Sequence, residues 1–247
     1  MLENHLRQLN VDLKDSNKHI GVFKQALTSA KAELSDEFAA GTSTAELIAD
    51  YARFMDGIMA LAWQRFSWNE NRNSWRKSRI SLIAVGGYGR SELLPHSDID
   101  LLILTERENT DIHRSNIQSF IMLLWDIGLE VGHSVRSIKD CKKQSAADVT
   151  VVTALMEARL LHGDVELLDK MNIQISTKKV WPAKAFYLAK RGEQSARHAK
   201  SANTEYSLEP NIKTSPGGLR DIQTITWIAR RQYGVADIQE LATHGLL

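Results

Sequence analysis

The stretch "LIAVGGYGRSELLPHSDID", residues 82–100, joins an apolar run, a glycine cluster and two aspartates one residue apart. Residues 80–85 are apolar apart from one serine and predict a buried strand. Gly86, Gly87 and Gly89 follow at once. Glycine lets backbone amides approach a phosphate without side-chain obstruction, and it tolerates positive φ. Residues 99–105, "IDLLILT", predict a second strand. Asp98 and Asp100 flank Ile99 at its start, and positions i and i+2 of a strand point to one face. Two carboxylates side by side repel, and each raises the other's pKa unless a cation lies between them. Mg²⁺ is such a cation: it takes oxygens from one or two carboxylates and from substrate phosphates. A glycine cradle beside an aspartate shelf therefore suits metal-assisted attack on a nucleotide phosphate. Each half alone has a plainer meaning, a tight turn and a solvated strand edge.

Two commoner glycine motifs are excluded. A dinucleotide fingerprint needs G-x-G-x-x-G with an acid about 20 residues on, and a P-loop needs Gly-Lys-Ser/Thr. Here the spacing is G-G-x-G, Gly89 is followed by Arg90 and Ser91, and the aspartate pair comes after only ten intervening residues, 88–97.

Working outward, the first third reads as helix. Phe23, Leu27, Ala30 and Leu34 recur at helical spacing, and Gly41 with Thr42 ends the pattern. Ser43 and Glu46 form a capping-box pattern, followed by an apolar stripe of Leu47, Tyr51, Met55, Ile58, Ala62 and Phe66. The polar stretch 67–78 reads as a connection. After β-type runs 80–85 and 99–105, a helix is expected between residues 111 and 125. Residues 129–136 alternate and predict a third strand. Ser137 caps a short helix, and residues 149–161 predict another that closes near Gly163. Glu157 and Arg159 in that helix read as a structural ion pair. Residues 183–202 predict a long basic helix, 204–218 a loop, and Leu219, Ile222, Ile225, Ile228 and Ala229 stripe a last helix ending near Gly234. The expected domains are 1–78 (helical), 79–165 (α/β core) and 166–247 (helical).

The chain has 247 residues, 31 basic and 30 acidic, for a net charge of +1. No global field draws it to nucleic acid or membrane, so any anion site is local. The single cysteine, Cys141, excludes an internal disulfide framework. The first twenty residues are too polar for a signal peptide, and no window supplies the ~18 apolar residues of a membrane span. A cytoplasmic protein is expected, without nucleic-acid or membrane partners.

"VGGYGRSELLPHSDIDLLIL" resembles the signature of the nucleotidyltransferase superfamily that includes polymerase β-like enzymes. More closely, it resembles the N-terminal region of the bacterial PII uridylyltransferase/uridylyl-removing enzymes. Three further blocks follow in family order: "GLEVGHSVR" (128–136), "DVTVVTALMEARLLHGD" (148–164) and "LEPNIKTSPGGLRDIQTITWIARRQYG" (208–234). The implied fold is an α/β (α+β) nucleotidyltransferase core with a mixed sheet, flanked by N-terminal helices and a C-terminal helical bundle. The implied reaction is transfer of UMP from UTP to a tyrosine of the PII signal protein, with release of pyrophosphate and with Mg²⁺ as cofactor.

By the same resemblance, Gly86 and Gly87 hold the UTP phosphates and Asp98 and Asp100 bind Mg²⁺. The superfamily usually has a third carboxylate on a later strand. The matching strand here offers only Glu130, which equally reads as an ordinary strand-end acid. His133 reads as structural. Arg90 either reaches a phosphate or pairs with Glu92, and Ser91 follows it in the turn. Lys213, Arg220 and Asp221 surround the turn at Pro216–Gly218, as a second wall of the nucleotide site or as a packing turn with solvated charges. Family members are much longer, with a hydrolytic domain and glutamine-sensing domains. The chain thus reads as a fragment from which removal of UMP and glutamine sensing would be missing. Two other readings stay open: a nucleotidyltransferase with another nucleotide or acceptor, and a silent nucleotide-binding module.

Overall fold

The computed structural model describes residues 2–15, 19–68, 79–106, 113–200, 211–235, 240–243 and 245. The elements in order are α1 (Glu3–Asp15), α2 (His19–Ala39), α3 (Thr44–Trp63), β1 (Ile80–Ala84), α4 (Gly86–Gly89), β2 (Ile99–Thr105) and α5 (Arg114–Asp126). Then come β3 (Val131–Ser137), α6 (Ile138–Ala147), α7 (Val149–Met156), β4 (Arg159–Gly163), α8 (Val165–Gln174), α9 (Ala183–Lys200), α10 (Leu219–Tyr233) and α11 (Glu240–Thr243). The chain divides into two compact units, Met1–Cys141 with Ala154–Asn172, and Lys142–Thr153 with Ile173–Leu247.

The first unit holds the sheet, in the order β3-β2-β1-β4. β1 pairs antiparallel with β2 and with β4, while β2 and β3 run parallel. A parallel pair needs a crossover between its strands, and α5 supplies it. The mixed sheet expected from the sequence is thus present. The helices that cover it begin at the expected signals. The Ser43 side chain accepts from the Glu46 amide at the start of α3. Ser137 accepts from the Asp140 amide (3.1 Å) at the start of α6. The stripe Leu47, Tyr51, Met55, Ile58 and Ala62 is fully buried. Phe66 lies beyond the end of α3 and is half-buried. One apolar cluster runs from α2 and α3 through the sheet to α5, with the Trp63 ring meeting Phe120 edge-on at 5.1 Å.

Two sequence expectations need correction. The helix predicted over 149–161 ends at Met156, and Arg159–Gly163 is strand β4 against β1. Apolar residues lie on both sides of the break, with Glu157 and Arg159 at it, and their spacing does not separate helix from strand. The open edge of β1 does. The last helix forms as predicted, but most of its apolar stripe is not buried: Leu219, Ile222 and Ile225 are exposed, Ile228 is half-buried and only Ala229 is buried, beside Thr224, Trp227 and Arg231.

In the second unit, three buried or half-buried charged groups find specific partners. The Arg231 guanidinium donates to the carbonyls of Trp181 (3.0 Å), Ile175 (2.9 Å) and Val180. The Lys190 ammonium donates to Glu193 (2.7 Å) and lies 4.4 Å from the centre of the Trp227 ring. Asp221 ties the 211–218 turn to α9: it accepts from the Gly217 amide (2.8 Å), Gln194 (2.8 Å), Arg197 and His198.

Burial opposes ionisation of the Asp221 carboxyl, but the hydrogen bonds from Gln194, Gly217 and His198 outweigh it and hold its pKa at about 2. The folded value lies below the unfolded one. Its stabilisation is therefore full above about pH 4 and is lost as pH falls toward 2, a contribution on the order of 2 kcal/mol. Asp221→Asn should lower the melting temperature at pH 7, and the gap from wild type should narrow between about pH 4 and pH 2.5. Thermal melts across that range check it; a gap independent of pH would refute the assignment.

Candidate active site

The site begins where β1 ends. The Val85 amide donates to the Asp100 carbonyl at 3.1 Å, the last rung of the antiparallel ladder. The chain then turns at once into α4. Gly86 takes φ +60°, a left-handed conformation that glycine adopts without cost. The turn closes through Gly89 N to Val85 O (3.1 Å), Arg90 N to Gly86 O (3.2 Å) and Glu92 N to Gly87 O (2.9 Å). Ser91 also has positive φ, at 60°.

α4 is wedged from below. A Cβ on Gly89 would lie 2.1 Å from the Glu157 carbonyl oxygen and 3.0 Å from that of Ala84. Tyr88 between them is buried, and burial pushes its phenol well above the usual tyrosine pKa. The Arg159 guanidinium sits 5.5 Å from the Tyr88 ring centre and donates to the Tyr88 carbonyl (3.2 Å). It also makes a two-pronged pair with Asp56 of α3, at 2.7 and 3.0 Å.

Arg90 extends this bracing. Its Nε donates to Glu92 (2.7 Å) and its Nη1 to Glu157 (2.6 Å), whose side chain is only 4% exposed. Burial pulls the Arg90 pKa down, but the two carboxylates more than offset it, so it lies above the ordinary value. The expected pairing with Glu92 is thus present. The expected pair between Glu157 and Arg159 is not: Glu157 takes Arg90, and Arg159 takes Asp56. Two positions apart, at the junction of α7 and β4, the two side chains are carried to different partners. Even so, Arg90 Nη2 stays at the turn, 3.8 Å from where a Cβ on Gly87 would stand.

The connection back to β2 is a second turn. Ser97 N donates to Leu94 O (2.9 Å), and the Ser97 hydroxyl accepts from the Leu94 amide (3.2 Å). It delivers Asp98 and Asp100, both exposed, on either side of buried Ile99. Asp100 is the one exposed residue of β2. Its carboxylate lies against Gly86: a Cβ there would be 3.1 Å from Oδ2. Across the parallel ladder Asp100 pairs with Gly132, where a Cβ would be 2.7 Å from Oδ1. Nothing in the residue chemistry of the sequence pointed to Gly132. Only the strand register reveals it.

Glu130 is exposed, and its carbonyl accepts from the Ile99 amide (2.9 Å). Continuing the register carries Glu130 beside Asp98, on the Asp100 side of the strand. His133 pairs with Leu101, so it belongs to the opposite side, where its ring meets Trp125 at 5.8 Å. Among the described residues no three His, Cys, Asp or Glu side chains converge as a metal-binding group. Two hard oxygen ligands suit Mg²⁺, which completes its shell with water and phosphate oxygens.

Gly86, Gly87, Arg90, Ser91, Asp98, Asp100 and Glu130 all belong to the first unit, and Lys213 and Arg220 to the second. The Lys213 amide donates to Asn211 Oδ1 (3.0 Å), and the Arg220 guanidinium lies 5.3 Å from the Trp227 ring centre. No described helix is long and apolar enough to cross a membrane.

The family described as nucleotidyltransferase domain matches residues 68–161. The family described as GlnD PII-uridylyltransferase matches residues 185–247. Curated relatives named bifunctional uridylyltransferase/uridylyl-removing enzyme include one from Pseudomonas fluorescens, 50% identical over 240 residues. Those from Azotobacter vinelandii and Pseudomonas syringae pv. tomato are each 49% identical over 240 residues. Each alignment covers 97% of this chain and 26% of the relative. The chain thus spans about a quarter of the length of the curated relatives it matches.

The wedge under α4 gives a test of packing. Gly89→Ala should destabilise by about 1–3 kcal/mol or more, because the obstruction is backbone and cannot rotate away. Gly192→Ala in α9, with nothing within 4 Å of its Cβ, should stabilise by up to about 1 kcal/mol. Denaturant melts of both variants check the contrast; an unchanged midpoint for Gly89→Ala would show that α4 is not seated as described.

Proposed function

Because this chain belongs to the family of bifunctional uridylyltransferase/uridylyl-removing enzymes, we propose that it transfers UMP from UTP to a tyrosine hydroxyl of the PII signal protein, releasing pyrophosphate. The observation that carries this reading is the Asp100 carboxylate, near the start of β2 and two residues after Asp98, lying directly beside Gly86. A carboxylate shelf and a glycine turn at that separation are what a triphosphate with its cation requires.

Each residue then has a task. Asp98 and Asp100 would hold Mg²⁺. Bound there, the cation would neutralise the triphosphate and favour ionisation of a phenol whose ordinary pKa is near 10. Gly86 and Gly87 offer backbone amides that no side chain obstructs, so phosphate oxygens can approach the main chain. Arg90, clamped by Glu157, keeps a positive charge at the same turn. The phosphoryl group would therefore meet a rigid cradle, with the cation supplying most of the positive charge, and positioning with charge stabilisation does most of the work in such transfers. Uridine as the base and PII as the acceptor rest on the kinship alone.

Incubating the chain with PII protein, Mg²⁺ and labelled UTP should label PII. Asp98→Ala and Asp100→Ala should each reduce labelling by more than roughly 100-fold with melting unchanged, beyond the 10–100-fold loss typical of residues that only support ligands. Labelling from ATP in place of UTP would overturn the uridylyl assignment. UTP binding without any transfer would favour a silent nucleotide-binding module.

A further inference from the structure

Asp100 is boxed by two glycines, one against each carboxylate oxygen. Oδ2 faces Gly86 and Oδ1 faces Gly132, at 3.1 and 2.7 Å from where their Cβ atoms would stand. The two glycines are there for different reasons. Gly86 has φ +60°, so the backbone itself favours glycine. Gly132 is not among the glycines of positive φ and sits in regular register within β3. Its backbone would accept alanine, and alanine is no worse a strand residue than glycine. What excludes a side chain at 132 is Asp100.

The nature of the obstruction decides the consequence. A Cβ at 132 would meet the end of a rotatable side chain, not backbone. The cheap response is rotation of the Asp100 carboxylate, with the sheet left in place. Gly86 itself carries no Cβ, so the space on the Oδ2 side is open to the moving carboxylate. The carboxylate would have to turn away from residue 132.

We propose that Gly132 is a positioning residue: its missing Cβ sets the direction of the Asp100 carboxylate toward the cation and phosphate. This rests on the reading of Asp98 and Asp100 as metal ligands. Gly132→Ala would then separate folding from ligand geometry, which few substitutions at a site can do.

The test uses Mn²⁺ with a non-hydrolysable UTP analogue, followed by water-proton relaxation, beside thermal melts and a crystal structure of the variant. Gly132→Ala should melt within a few degrees of wild type. Its apparent Mn²⁺ affinity should fall roughly 10-fold, the range found when a group supporting a metal ligand is lost, and its Asp100 carboxylate should be rotated with the β2–β3 register kept. Wild-type affinity, or an Asp100 carboxylate still in its original direction, would overturn the proposal. So would a collapse in melting temperature, which would make Gly132 a requirement of the sheet. A wild-type chain that binds no Mn²⁺ with the analogue would instead remove the metal-ligand reading, and the Gly132 proposal with it.

Discussion

The hydrogen bond from the Val85 amide to the Asp100 carbonyl is the point at which the sheet hands over to the site. β1 and β2 are the two inner strands of the sheet, and an inner strand buried on both faces reads as an unbroken apolar run. β2 obeys this from Leu101 to Thr105 and departs from it at Asp100. A carboxylate further along the strand would be stripped of water at a cost of several kcal/mol. At the strand's entry it keeps its hydration, yet it lies one rung from the glycine turn. The antiparallel register, Ala84 opposite Leu101, thus fixes both the place of the charge and the place of the cradle.

A glycine-rich turn would gain little from that register if it could drift. Here α4 is clamped from two directions. Glu157, at the end of α7, holds Arg90, and Asp56, on α3, holds Arg159, which reaches back to the Tyr88 carbonyl. These pairs are half-buried, so removing one partner leaves a poorly solvated charge and costs more than the pair contributes. The consequence is rigidity in place of mere stability. Loops that bind ligands are positioned by a stiff scaffold, and this scaffold reaches from a helix of the N-terminal region to the far edge of the sheet.

Most of the fold was legible in the sequence because its signals are local. Apolar periodicity gave α2 and α3; capping residues placed the starts of α3 and α6; alternation gave β3. β4 was hidden because apolar residues flank Glu157 and Arg159 on both sides, and only pairing with β1 divides helix from strand. The largely unburied stripe of α10 misled for a related reason: Trp227 and Arg231 take the buried face, and a buried arginine satisfied by three carbonyls has no sequence pattern. At the site, the glycines and aspartates were legible because they carry chemistry. Gly132 was not, since its contribution is an absence, meaningful only once the register sets it opposite Asp100. The partner of Arg90 was half legible: Glu92 is two residues away, and Glu157 is sixty-seven.

The small number of carboxylates at the site has its own implication. Glu130 follows the ladder to a place beside Asp98, yet no group of three metal-competent side chains converges among the described residues. Two carboxylates leave a hard cation short of oxygens, and Mg²⁺ surrenders its waters reluctantly. Under the proposed function, phosphate oxygens supply what the protein does not. Cation and nucleotide would then bind as a cooperative pair, each completing the other's site, with the direction of a single carboxylate deciding how well they fit. That coupling explains why so much of the surrounding structure, two glycines against Asp100 and two ion pairs under α4, is devoted to holding a few atoms still.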